Sequence, residues 1–130
     1  MAEMSDYLER SLLNATLNNT AFTTVATPYI SLHTADPTDA GTGTEVSGGS
    51  YARTSASFAT ASGTGGSVAT DADITFPTAT ASWGTVTHIG IWNASSAGDL
   101  LYHTALDSSK TIDSGDIFKI TSGNLTVTLA

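Results

Sequence analysis

The residues of this chain best suited to acid–base or metal chemistry are its three histidines, His33, His88 and His103. Imidazole titrates near neutral pH and is the commonest metal-ligating side chain. His88 and His103 lie in neighbouring apolar segments that a short polar turn separates. If these segments pair as antiparallel strands, paired residue numbers sum to about 193, which places His88 beside Ala105 and His103 beside Gly90. The two rings would be diagonal neighbours, although partly buried histidines are more often satisfied by backbone carbonyls. His33 belongs to another strand.

The acidic, glycine-rich loop after the first histidine offers a second kind of chemistry. It carries Asp36, Asp39 and Glu45, and Asp71 and Asp73 flank a later strand. Calcium loops share this composition, but the alternate spacing of ligands followed by a late glutamate is absent. Paired carboxylates also serve glycoside hydrolysis, yet any acidic chain offers such pairs. The sequence therefore predicts solvated turns, with no bound metal and no cofactor.

No recognisable catalytic motif is present in the sequence. There is no cysteine, which excludes disulfides, thiolate metal sites and a cysteine nucleophile. The patterns GxSxG, HExxH, GxxxxGK[ST] and GxGxxG are also missing. We expect a protein that is not an enzyme.

The charge balance limits the partners of this chain. Its 130 residues include four Lys and Arg against twelve Asp and Glu, for a net charge of -8. Nucleic-acid binding needs a basic footprint that this chain lacks, and an anionic membrane surface would repel it. The first ten residues resemble no secretion signal, and no window is long and apolar enough for a membrane helix. The sequence predicts neither a nucleic-acid nor a membrane partner.

The segment from Phe76 to Trp92 predicts the central strand of the fold. Its second half alternates, with Val86, His88, Gly90 and Trp92 on one side and Thr87, Ile89 and Ile91 on the other. Period two is the strand period. Because both faces carry large apolar groups, we expect this strand to lie between two layers.

Period two continues through most of the chain and predicts eight strands in all. They are Tyr29–Thr34, Tyr51–Phe58, Ser67–Thr70, Asp73–Phe76, Val86–Asn93, Leu100–Leu106, Asp116–Thr121 and Leu125–Leu129. Short strands separated by Gly, Ser, Pro and Asp clusters favour an antiparallel β-sandwich or jelly-roll-like domain. We assign residues 21–130 to this single domain and residues 1–20 to a helix packed on it or docking beside it.

One amphipathic helix is predicted from Ser5 to Asn19, with Ser5 or Asp6 as its N-cap. Its apolar residues are interpreted as one stripe: Tyr7, Leu8, Leu12, Leu13 and Leu17. The stripe either packs on the chain's own sheet, which we favour, or docks on a neighbouring subunit.

Six segments together resemble a family of small proteins from tailed phages and prophages. They are SDYLERSLLNATL, LHTADPTDAGTGTEVSGGSYAR, ITFPTATASWGTVTHIGIW, DLLYHTAL, KTIDSGD and LTVTLA. Members are usually labelled tail fibre proteins or virion structural proteins. The resemblance covers nearly the whole chain and brings no catalytic residues. It includes residues of types that usually have a structural role in a fold: Gly48, Gly49, Tyr51, Arg53, Pro77, Trp83, Gly84, Gly90 and Trp92.

The resemblance implies a non-enzymatic virion component, made in the host bacterial cytoplasm without a signal peptide. Its position could be in a tail fibre or appendage; the alternatives are a capsid decoration (cement) protein and a carbohydrate-binding module of a host-recognition appendage. We expect a homo-oligomer, with a trimer first, that contacts other virion proteins and in some of these roles a host surface glycan. The candidate interaction residues are Leu8, Leu12, Leu13, Leu17, Tyr29, Tyr51 and Trp83.

Overall fold

A long antiparallel hairpin forms the centre of the protein in the computed structural model, which describes residues 2–129. The elements in chain order are β1 (Glu3–Met4), α1 (Asp6–Leu17), β2 (Tyr29–His33), β3 (Thr54–Ser55), β4 (Gly66–Ala69), β5 (Ile74–Thr75), β6 (Gly84–Trp92), β7 (Leu100–Ile112), β8 (Lys119–Ile120) and β9 (Thr126–Leu129). Every predicted strand overlaps an observed one, and β1 is the strand that the sequence analysis missed.

Within residues 2–129 the strands form three antiparallel sheets. The largest has the order β1-β7-β6-β2-β3, while β4 pairs with β9 and β5 pairs with β8. These sheets confirm a mainly β, antiparallel protein with one helix near its N-terminus. The jelly-roll strand order stays a prediction.

The predicted register of the hairpin is confirmed over its central part. His88 pairs with Ala105 and Gly90 pairs with His103, as a sum of 193 requires. Farther along, the register shifts, and Thr87 alone stands opposite residues 106–109 before Val86 pairs with Lys110. Such a bulge bends a strand and changes its twist.

The second half of β7 extends beyond Leu106, where the predicted strand ends. The segment Asp107–Ile112 begins with one Asp and two Ser, which favour turns, yet it continues the strand. Gly84 pairs with Ile112 and Thr85 with Thr111, whose hydroxyls lie 3.1 Å apart. Pairing with the start of β6 therefore overrides the local preference of this segment.

One apolar cluster joins the large sheet to both small ones. From the large sheet it takes Ile30, Leu32, Val86, Ile89, Ile91 and Ile112, and from the smaller sheets and their flanks Ile74, Phe76, Phe118, Leu125 and Val127. Phe76 and Phe118 contact edge to face, with ring centroids 5.6 Å apart. Trp92 is 8% exposed, so the C-terminal half of β6 is buried on both faces as predicted.

The helix α1 is fastened to the sheet at its first turn. Ser5 is the N-cap: its Oγ accepts a hydrogen bond from the backbone N–H of Leu8 at 3.2 Å and donates one to the carbonyl of Leu100. The backbone N–H of Ser5 also donates to the carbonyl of Leu101 at 2.9 Å. No helix within residues 2–129 has the length and apolar character needed to cross a bilayer.

The leucines of α1 form two stripes, which corrects the single stripe inferred from spacing. Leu8 is buried and Leu12 half-buried, whereas Leu13 is 56% and Leu17 is 74% exposed. A helix turns by about 100° per residue, so Leu13 lies about 140° around the axis from Leu8. The first pair packs on the protein, and the second pair faces away from it.

Candidate functional site

A chain of buried hydrogen bonds crosses β2 and β6 at the centre of the large sheet. Trp92 Nε1–H donates to Ser31 Oγ at 2.7 Å, and Ser31 Oγ lies 2.7 Å from Nε2 of His33. Because Ser31 accepts from Trp92, its hydroxyl proton is free to be donated to His33 Nε2. A Cβ on Gly90 would lie 2.7 Å from Ser31 Oγ, so only glycine leaves room for this chain of bonds.

His33, the last residue in this chain of bonds, is fully buried. It stands directly opposite His88 in the register of β2 and β6, a juxtaposition that the sequence analysis left open. Burial lowers the pKa of His33. The Glu45 carboxylate and the backbone of Gly43 act to raise the same pKa, but burial outweighs them. Nδ1 makes no hydrogen bond of normal geometry among residues 2–129. His33 is therefore a neutral interior side chain at neutral pH.

The second polar group, here called the Arg53 cluster, consists of Glu45, Tyr51, Arg53 and Trp92. Arg53 Nε and Nη2 each donate to one carboxylate oxygen of Glu45 at 2.9 Å. The Tyr51 hydroxyl donates to Glu45 Oε2 at 2.6 Å and accepts from the backbone N–H of Leu32 at 3.0 Å. The guanidinium carbon lies 3.9 Å from the ring centroid of Trp92. This is a forked ion pair stacked on an aromatic face.

Electrostatics within the Arg53 cluster favour the ion pair. Burial acts to raise the pKa of Glu45, but the hydrogen bonds from Arg53 and Tyr51 outweigh it and hold that pKa below its ordinary value. Burial and the bond to Glu45 raise the pKa of Tyr51. Glu45 is therefore ionised, and Tyr51 stays protonated, under physiological conditions.

Arg53 also fastens the turn of the central hairpin. Its Nη1 donates to the carbonyls of Ala94 at 3.1 Å and Ala97 at 2.8 Å. Four of its five N–H bonds are thus used within the chain, and its side chain is only 8% exposed. The Arg53 cluster holds a loop, a strand end and a turn together and offers no open donor surface to a substrate.

Two of the aromatic candidates for ligand contact lie toward the interior. Trp83 is 4% exposed and donates from Nε1 to the carbonyl of Gly49 at 2.9 Å. Tyr51 is half-buried and meets Trp83 edge to face, with ring centroids 5.4 Å apart. Tyr29 is half-buried in β2. Among the seven candidate interaction residues, the most exposed are Leu13 and Leu17.

The third polar group, here called the His103 cluster, consists of Glu3, Asp36, Asp39 and His103. His103 Nε2 lies 2.7 Å from Asp39 Oδ1 and 3.8 Å from Glu3 Oε2, while its Nδ1 lies 3.4 Å from Asp36 Oδ1. The imidazole is 4% exposed, and the three carboxylate side chains are each at least half exposed. Asp36 and Asp39 of the acidic loop therefore lie in one cluster with His103.

The other acidic candidates lie apart from the His103 cluster. Glu45 belongs to the Arg53 cluster. Asp73 accepts a hydrogen bond from the backbone N–H of Ser122 at 2.8 Å and pairs with Lys119 at 3.1 Å, and these contacts lower its pKa. His88 Nδ1 lies 2.8 Å from the hydroxyl of Thr87. The diagonal histidine pair thus has the predicted register, but the bonded partners of His103 are carboxylates.

Comparison with known families gives one match that spans almost the whole chain. The family model described as Podophage GP4 fiber I protein gp80 matches residues 3–128. Comparison with curated proteins gives no match. The match confirms the resemblance to phage tail fibre-type proteins that the sequence segments carry.

Proposed function

Because the chain belongs to the family Podophage GP4 fiber I protein gp80, and is thus a phage virion fibre-type structural protein, we propose that it is a non-enzymatic subunit of a tail appendage. The single observation that carries this proposal is the family match over residues 3–128. It extends across the helix, the central hairpin and both small sheets.

The use of the polar side chains supports a structural role. Arg53, Glu45 and Tyr51 could serve as catalytic groups in an open pocket, yet their polar atoms bond to one another and to backbone. Trp92 closes the face of the guanidinium. These residues stabilise a scaffold whose loops and helix are available to partners.

Self-association through α1 is part of the proposal. Leu13 and Leu17 are one helical turn apart on the side of α1 that faces away from the sheet, and both are more than half exposed. With a net charge of -8 on each chain, copies repel one another, and salt screens that repulsion beyond about 8 Å. Contact between copies must therefore come from apolar area, and we expect a trimer in which these leucines are covered.

A substitution on the exposed side of α1 tests this assembly. Leu13→Asp should shift the purified protein from oligomer to monomer in light scattering, because it places a charge in an apolar contact. High salt should leave the unmodified oligomer intact. Thr64→Asp, which adds the same charge at an exposed turn far from α1 in sequence, is the matched control and should stay oligomeric. A protein that is monomeric at high concentration in both low and high salt would contradict self-association.

The position in the virion is tested by locating this chain in a cryo-EM map of the particle. A tail appendage predicts a few dozen copies or fewer, attached to the tail. Hundreds of copies on the head would instead identify a capsid decoration protein and overturn the appendage proposal. We do not extend the proposal to glycan binding, because Trp83 and Tyr51 are engaged inside the protein.

A further inference from the structure

An imidazole and two carboxylates converge where β1, the loop after β2 and β7 meet. One donor atom each from Glu3, Asp39 and His103 lies within 4.8 Å of the others. Contrary to the sequence-based prediction of no bound metal, we propose that these three side chains bind one divalent transition-metal ion of the zinc class. The three residues come from sequence positions far apart, and the strand pairing of β1 with β7 places Glu3 opposite His103.

The side chains can reach the spacing that an ion of this size needs. Zinc binds imidazole nitrogen and carboxylate oxygen at about 2.0–2.2 Å, so neighbouring ligand atoms in a tetrahedron lie about 3.4 Å apart. His103 Nε2 is 3.8 Å from Glu3 Oε2. It is 2.7 Å from Asp39 Oδ1, a hydrogen-bond distance that opens when an ion replaces the shared proton. The imidazole is held in place by burial, whereas the two carboxylates are 50% and 71% exposed and can rotate to meet an ion. Water supplies the fourth ligand.

Asp36 orients the ring for this role. Its Oδ1 lies 3.4 Å from His103 Nδ1, on the side of the ring away from the other two carboxylates. A carboxylate on the second ring nitrogen of a metal-binding histidine fixes its tautomer and makes the ligating nitrogen more basic. In the unbound protein Nε2 shares a hydrogen bond with Asp39 at 2.7 Å. When an ion takes Nε2, the remaining ring proton is on Nδ1 and faces Asp36.

The charges around the ring supply an independent argument for a cation. Glu3, Asp36 and Asp39 place three carboxylates around one imidazole. The protein has only four Lys and Arg. Within residues 2–129 the ion pairs of these cations go to Glu45 and Asp73, and none goes to the His103 cluster. A divalent ion would supply the counter-charge that no Lys or Arg ion pair within residues 2–129 gives these carboxylates.

The mixture of donors selects the class of ion. Calcium and magnesium prefer sites built from oxygen alone, whereas imidazole suits zinc and its first-row neighbours. Binding would link Glu3 of β1 and Asp39 of the loop after β2 to His103 of β7, in addition to the backbone pairing of β1 with β7. An ion that binds only the folded chain raises its stability.

Thermal unfolding of the full chain, made without a polyhistidine tag and stripped with chelator, tests the site. Zinc chloride should raise the melting temperature by several degrees and bind with one ion per chain in calorimetric titration. Calcium and magnesium chloride should give no comparable rise.

Variants distinguish this site from general binding of cations to an acidic surface. Glu3→Gln and Asp39→Asn replace exposed carboxylates without disturbing the core, and each should abolish the shift with zinc. Asp71→Asn, at an exposed acid outside the His103 cluster, is the matched control and should keep it. Absence of a shift, an equal shift with calcium, or an equal shift in Glu3→Gln and Asp71→Asn would each overturn the proposal. None of these results bears on the appendage role.

Discussion

Trp92→Ala is expected to lower the free energy of unfolding by about 3–5 kcal/mol, the usual cost of removing a large buried aromatic side chain. Trp92 is 8% exposed, and its loss also removes the donor to Ser31 and the aromatic face under Arg53. The variant should yield little soluble protein. Urea unfolding followed by circular dichroism measures the change.

A milder variant shows which of these contacts matter. Trp92→Phe keeps an aromatic ring for Arg53 but cannot donate to Ser31, and a lost buried hydrogen bond costs about 1–3 kcal/mol. We expect its stability to lie between those of the natural protein and Trp92→Ala. A Trp92→Ala protein that melts at an unchanged temperature would show that this strand end is not part of the core.

Glu45→Gln is expected to lower the free energy of unfolding by a similar amount, about 3–5 kcal/mol. The substitution leaves the guanidinium of Arg53 buried without its anion. Arg53 is 8% exposed, and its Nε and Nη2 atoms both donate to Glu45. Equilibrium unfolding compares the variant with Asp71→Asn, an exposed acid for which we expect a change below about 0.5 kcal/mol. Equal stabilities of the two variants would contradict a stabilising role for the Arg53 cluster.

The same variant makes a prediction about pH. The pKa of Glu45 is lower in the folded protein than its ordinary value of 4.5, so the unfolded chain takes up a proton first as the solution is acidified. The contribution of Glu45 is therefore fully present above that ordinary value and is lost as the pH falls through the folded pKa. The stability gap between the natural protein and Glu45→Gln should narrow in strong acid.

Local pattern was sufficient to predict the central hairpin. A period-two run from Val86, a short polar turn and a second run from Leu100 fix the pairing, and His88 faces Ala105 as expected. The same reasoning failed for Asp107–Ile112, where turn-forming residues continue as strand. There the strand partner is Gly84–Val86. Local composition does not show the stabilisation that comes from pairing with a distant segment.

The polar clusters depend on contacts that sequence spacing does not reveal. His33 faces His88 only because β2 lies beside β6, and the neighbours of a strand in a sheet need not be neighbours in sequence. Glu3 lies opposite His103 because β1 pairs with β7. A strand of only two residues is too short to be predicted from a period-two pattern. Arg53 was noted through the resemblance, but its stacking on Trp92 becomes visible only in the folded chain.

The edge strands of the large sheet affect how readily the protein aggregates at high concentration. Its two outermost strands, β1 and β3, are two residues long each, so they present few free backbone groups to a foreign strand. The stretch of β7 beyond β1 is interrupted by the register shift and carries the charges of Asp107 and Lys110. Short, irregular and charged borders resist amyloid-like stacking. The large sheet therefore offers little free edge for strand-to-strand association between crowded copies of this chain.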